Sequence, residues 1–138
     1  MGKVNARIKV QNWTDVELVS LGHRTEPARS ADLDALVDTG TVFLYLQSSV
    51  IKGLGLRAVS EVTSRTLSDR IERRRVFSPV DLEIQGRSAR FDVVELPDSL
   101  PNVVGQIPLE ALDWVVDLRR QRLVPNPEHT HGELSDEF

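Results

Sequence analysis

The residues best suited to chemistry are Asp38, Thr39 and Gly40, in the run Leu36-Val37-Asp38-Thr39-Gly40-Thr41. An apolar strand that runs straight into an acid, a hydroxyl residue and a glycine presents a carboxylate rigidly at the end of a core strand. Glycine permits a tight turn and close backbone approach, and neighbouring N–H groups can hold the carboxylate. The Thr39 hydroxyl can bond locally or across to another backbone. An ordinary strand-end turn has the same composition, so the tripeptide alone does not decide between the two. Asp32 and Asp34 lie upstream on the same strand face. Asp34 is about 13 Å from Asp38 by strand rise, too far for a carboxylate pair within one chain.

Other candidates carry less. Arg70-Ile71-Glu72-Arg73-Arg74-Arg75 is the densest basic run. Without interleaved aromatics it reads as a solvated strand arm, with Arg73 and Arg75 on one face and Arg74 on the other, rather than a nucleic-acid or acidic-peptide contact. His129-Thr130-His131, in an acidic end, has poor spacing for a preformed metal site. His23 stands alone in a polar loop. Gly53-Leu54-Gly55 lacks the third glycine and the Lys-Ser/Thr of a phosphate loop. Trp13 and Trp114 read as packing residues. No metal and no cofactor is expected.

The elements that must position Asp38 are mostly short strands. Val4 to Val10 and Asp15 to Leu21 alternate apolar with polar and are expected as strands. After a polar loop over 22–30, Ala31 to Val37 ends in the fully apolar Ala35-Leu36-Val37. Val50, Ile51 and Leu54 fall at helical spacing in Gln47 to Leu54, closed by Gly55. Arg57 to Arg65 and Ile71 to Ile84 form a long hairpin across residues 66–70. Pro79 inside its second arm signals an edge or a bulge. Gln85-Gly86-Arg87 turns into Ser88 to Glu95, and residues 96–102 are loop. Pro108 to Trp114 reads as a short helix with Leu109, Leu112 and Val116 on one face. Arg122 to Val124 is a last strand, and residues 128–138 form a disordered acidic tail.

At 138 residues and 40% hydrophobic, the chain makes one globular domain. Its 17 basic and 21 acidic residues become 17 against 17 once the four acids of 128–138 are set aside. That balance does not support a general nucleic-acid footprint. No apolar run is long enough to span a membrane, and no leader segment is expected. Cysteine is absent, which removes disulfide and thiol chemistry. The expected address is cytoplasmic. The expected class is all-β with one or two short helices.

Beyond Asp38-Thr39-Gly40, a second motif matters: Val103-Val104-Gly105, two apolar residues and a glycine followed at once by a short helix. Together these resemble the retropepsin family, the single-domain aspartic proteases of retroviral type and their bacterial relatives. The order of elements over roughly 4–127 is similar to the family's, as is the closing pair Leu112-Asp113-Trp114-Val115-Val116-Asp117 and Arg122-Leu123-Val124-Pro125-Asn126-Pro127. The chain departs from the retroviral pattern at Thr41-Val42-Phe43 after the glycine, in a hairpin tip without glycine, and at Gln106.

The resemblance implies a closed or partly open β-barrel over 1–127, working as a homodimer without cofactors. It implies that Asp38 is the catalytic carboxylate of each chain. Thr39 and Gly40 would support the loop, Thr39 by bonds across the dimer axis, while Val103, Val104 and Gly105 thread beside it. Residues Thr66, Leu67, Ser68, Asp69, Arg70 and Ile71 would form the tip of a flap over an extended peptide, with the final strand knitting the dimer. The rival expectation is a non-enzymatic homodimeric peptide-binding or dimerisation module on the same fold. A third is a monomer that stays inactive until its local concentration rises.

Overall fold

The computed structural model describes residues 4–65 and 70–129. Strand β1 (Val4–Asn12) sets the pattern for the core. Val4, Ala6, Ile8 and Val10 are all buried, while the residues between them face outward. Burying each of the larger side chains contributes about 1.5–3 kcal/mol. Strand β2 (Ser30–Val37) pairs antiparallel with β1 over its full length, from Val4 opposite Val37 to Gln11 opposite Ser30.

The other strands of this sheet are β3 (Leu44–Gln47), β4 (Ala58–Arg65), β5 (Ile71–Ile84), β6 (Arg87–Leu96) and β7 (Val103–Val104). The sheet order is β1-β2-β7-β3-β6-β5-β4, and a further pairing of β1 with β5 closes six of these strands into a ring. Strand β4 stays outside the ring, paired with β5 alone. The interior is filled by Ile8, Leu44, Leu46, Leu82, Ile84, Val93 and Val104, among others.

The proline in β5 falls where the strand must change phase. The register against β6 shifts between Phe77 and Val80, around Pro79. Phe77, Val80, Leu82 and Ile84 all point inward, although Phe77 and Val80 are an odd number of residues apart. A bulge reconciles the two, because the extra residue resets the alternation. The β5–β6 turn places Gln85 and Gly86 at φ 50° and 88°, the double left-handed geometry that favours a tight hairpin.

The segment expected as a strand over Asp15 to Leu21 is instead the helix α1 (Trp13–Ser20). Its start is decided by a cap: the Asn12 side-chain oxygen accepts the Asp15 N–H at 3.0 Å, satisfying a first-turn donor. Asp15 is buried and held by Arg29, whose Nε and Nη2 donate to its two oxygens at 2.8 and 3.0 Å, while Arg29 N donates at 3.0 Å. The side chain of Asn12 also donates to Leu54 O at 2.8 Å, tying α1 to the end of α2 (Ser48–Gly53). Gly55, at φ 67°, lies against the Arg29 guanidinium with no room for a Cβ.

Two further boundaries differ from expectation. The helix read over Pro108 to Trp114 is α3 (Gln106–Ala111), capped by Gly105 and ended at Leu112. Asp113 then turns at φ 61°, so Trp114 opens a strand and Val116 belongs to it rather than to the helix. Strands β8 (Trp114–Asp117) and β9 (Arg122–Pro125) pair with each other. Neither β3 nor β8 was legible as a strand, and three α-helices stand among the described residues where one or two were expected. Among the described residues no helix is long and apolar enough to cross a membrane.

Candidate functional site

Strand β2 delivers Asp38 to the place where β7 runs parallel to it, with Leu36 opposite Val103 and Val37 opposite Val104. The Asp38 N–H donates to Val104 O at 3.0 Å, and Leu36 N donates to Asn102 O at 2.8 Å. The Asp38 carbonyl accepts both the Thr41 N–H (3.1 Å) and the Thr41 hydroxyl (2.9 Å). Its Oδ1 accepts the Gly40 N–H at 2.8 Å. Asp38 is therefore fixed at its amide, its carbonyl and one carboxylate oxygen. Oδ2 accepts no hydrogen bond among the described residues. One oxygen is oriented and the other is open, a suitable state for a group that must accept or lend a proton.

Three consecutive amides brace this loop from below. Gly105 N donates to Phe43 O (2.8 Å), Gln106 N to Thr41 O (2.8 Å) and Ile107 N to Val42 O (2.9 Å). Helix N-termini leave their first N–H groups without intrahelical partners. Here the loop's carbonyls satisfy those of α3, so loop and helix complete each other. The approach is close enough that a Cβ on Gly105 would lie 2.6 Å from Phe43 O. The Asp38-Thr39-Gly40 and Val103-Val104-Gly105 motifs are thus brought together.

Thr39 and Gly40 are exposed beside Asp38. Around them lie apolar residues turned to solvent: Val42 is 46% exposed, Phe43 38% and Ile107 46%. Phe43 meets Tyr45 edge to face, with ring centroids 6.2 Å apart. Gln106 turns away and donates to Glu110 at 2.9 Å.

The expected hairpin is present as β4 and β5, paired from Ala58 opposite Phe77 to Arg65 opposite Ile71. Thr66, Leu67, Ser68 and Asp69 lie outside the described residues. Arg70 and Ile71 begin the second arm, both exposed. At the root of the hairpin, Arg75 grips Glu95 with two parallel bonds of 2.9 and 3.0 Å. The Ser48 hydroxyl donates to the same carboxylate at 2.8 Å. The Arg75 bond, and less strongly the Ser48 bond, hold the Glu95 carboxyl below its usual range, against its partial burial. Arg73 pairs with Glu61 at 2.6 Å. The alternate placing of these arginines agrees with the strand-arm reading.

Some participants were invisible in the sequence. Asn102, buried, accepts the Gln47 N–H at 2.9 Å and so joins the end of β3 to β7. Its only signal was a polar residue directly before an apolar pair. His129, expected in a disordered tail, sits in a 3-10 turn over Pro127–His129. Its Nδ1 lies 2.8 and 2.9 Å from the Asp113 carboxylate oxygens. His131 and the rest of the tail lie outside the described residues. Trp114 is buried, donates to Ile84 O at 3.2 Å and carries the Arg87 guanidinium over its ring at 4.2 Å. Among the described residues no group of three or more histidines, aspartates or glutamates is placed to hold a metal ion.

Compared with known proteins, the chain matches no family model, and no curated protein matches it.

Proposed function

We propose that the protein is a homodimeric aspartic endopeptidase of retropepsin type, hydrolysing peptide bonds with a water activated by Asp38 of two chains. The observation that carries this reading is the brace at the acid loop. Asp38 is bonded through its N–H to Val104, and the amides of 105–107 are seated on the carbonyls of 41–43. Such a loop is costly to build for a plain turn, and its product is a single carboxylate with one oxygen open.

One carboxylate per chain is half of the required pair, and a two-fold axis through the loops supplies the other half. Two carboxylates about 3 Å apart cannot both ionise, so they share a proton. The ionised member takes a proton from water as that water attacks the carbonyl. The protonated member donates to the carbonyl oxygen as charge develops there. The β4–β5 hairpin lies over the peptide as a flap, its backbone adding to the bound strand. A chain without cysteine suits a reducing cytoplasm.

The test is cleavage of a mixed peptide library across pH by wild type and Asp38→Asn. The expected result is cleavage in the acid range by the wild type alone. If a demonstrably dimeric wild-type sample cleaves nothing, the exposed Val42, Phe43 and Ile107 beside the loop favour the non-enzymatic binding module instead.

A further inference from the structure

The root of the hairpin carries a second recognition feature, separate from Asp38. Two cavities, of about 350 and 310 Å³, share Ser48, Arg75 and Glu95 as common walls. The first has an apolar floor of Ile51, Leu56 and Phe77, with Lys52 on its rim. The second is lined by Arg73, Arg74 and Arg75 in succession and ends at Pro97. Consecutive strand residues point to opposite faces, so a hollow touched by all three runs along the flank of the strand, where the faces meet.

That flank is open backbone. Strand β6 stops at Leu96, before Pro97. The β5–β6 ladder ends earlier, at Val76 opposite Val94, while Glu95 and Leu96 pair with β3 alone. Over 71–75, β5 has a strand neighbour on its β4 side alone among the described residues. Unpaired strand edges are templates for a further strand.

The charges decide what kind. Glu95 is taken by Arg75 and Arg73 by Glu61. The Asp98 carboxylate, just beyond Pro97, accepts the Ser49 N–H at 3.0 Å. Lys52 and Arg74 have no carboxylate within ion-pair distance among the described residues. Two cations without a close ion pair thus flank an open strand edge above an apolar floor, Arg74 acting on Glu95 only at longer range. We infer that this groove between α2 and the free flank of β5 binds an extended acidic segment of another protein, with one carboxylate on Lys52 and another, from the opposite face of the segment, on Arg74. The inference does not depend on peptide hydrolysis.

The experiment uses the full chain carrying Asp38→Asn, so that no probe is consumed whatever the activity. The probes are a fluorescein-labelled octapeptide of two Glu-Glu-Val-Val repeats, which puts carboxylates on both strand faces, and its Gln-for-Glu counterpart, followed by anisotropy at low salt. The acidic peptide should bind about tenfold more tightly, and Lys52→Gln with Arg74→Gln together should remove that preference. Raising the salt should weaken the acidic peptide selectively. Equal affinity for the two peptides, or an acidic preference that survives the double substitution, overturns the assignment. So does tighter binding of a single-stranded oligonucleotide at the same two residues. A tenfold gain in peptide affinity on deleting 130–138 would give the groove to the chain's own acidic end and likewise overturn it.

Discussion

The Gly105 amide donates to the Phe43 carbonyl across 2.8 Å, and the two backbones approach so closely that a Cβ on Gly105 would lie 2.6 Å from that oxygen and 2.7 Å from the Val42 carbonyl carbon. Both obstructing atoms are backbone, so neither can swing aside. Gly105 has φ −92°, which any residue adopts, so the requirement is for space. Gly105→Ala should therefore cost about 2–3 kcal/mol in chemical denaturation, as overpacking does. The shift must pass to residues 41–43 and so to Asp38, and any activity should fall with it. A variant of wild-type stability would show that the two segments separate easily.

Asp15 makes stability depend on acid. Hydrogen bonding to Arg29 is the chief cause that holds its carboxyl down at about 2, against the opposing effect of burial. A depressed pKa contributes stability that is fully present above the unfolded value, near 3.8, and is lost as pH falls through the folded one. The contribution is about 1–2 kcal/mol, since half-exposed Arg29 is partly screened by solvent. Denaturation midpoints should therefore drop between about pH 4 and pH 2 in the wild type. Asp15→Asn should be less stable at neutral pH and lose part of that slope. An unchanged slope would assign the acid sensitivity to other carboxylates.

Glu95 joins the hairpin to α2 through Arg75 and Ser48. Glu95→Gln keeps the shape but removes the charge that makes the forked bond strong. Hydrogen exchange over 58–65 and 71–76 should quicken by roughly 3–5-fold, as expected for a loss of about 1 kcal/mol. The ring strands, anchored elsewhere, should keep their protection. Uniform quickening across the chain would mean that the contact supports global stability instead.

Thr39 is exposed in the single chain, and its proposed work lies across the dimer axis. Thr39→Val conserves shape and removes the hydroxyl. The dimer's Kd, read by sedimentation, should rise about tenfold, while the denaturation midpoint of the isolated chain stays level. An unaltered Kd would place the dimer contacts elsewhere.

What the sequence made legible follows from how local the cause is. Asp38-Thr39-Gly40, the alternation in β1 and the Gln85-Gly86 turn all act within a few residues, and each was readable. The helix α1 was misread because Val16 and Leu18 alternate as a strand would, while the deciding interactions are the Asn12 cap and the buried Asp15–Arg29 pair. The bracing of 41–43 by 105–107 was readable only in part. The glycine could be seen, but the three amides that follow it could not be matched to their acceptors. The Ser48–Glu95–Arg75 contact joins three distant positions with no shared motif, so nothing local announces it.

The bond from the Asp38 N–H to Val104 O also sets an order in time. Nearly half the chain separates the two residues, and contacts so remote in sequence form late because loop closure must come first. As the chain leaves the ribosome, β1 and β2 can pair while the partner of Asp38 is still unmade. The acid loop becomes rigid only once β7 and α3 have emerged and docked, so a chain arrested before residue 107 carries the motif without the geometry. Formation of the braced acid loop is thereby tied to completion of the fold.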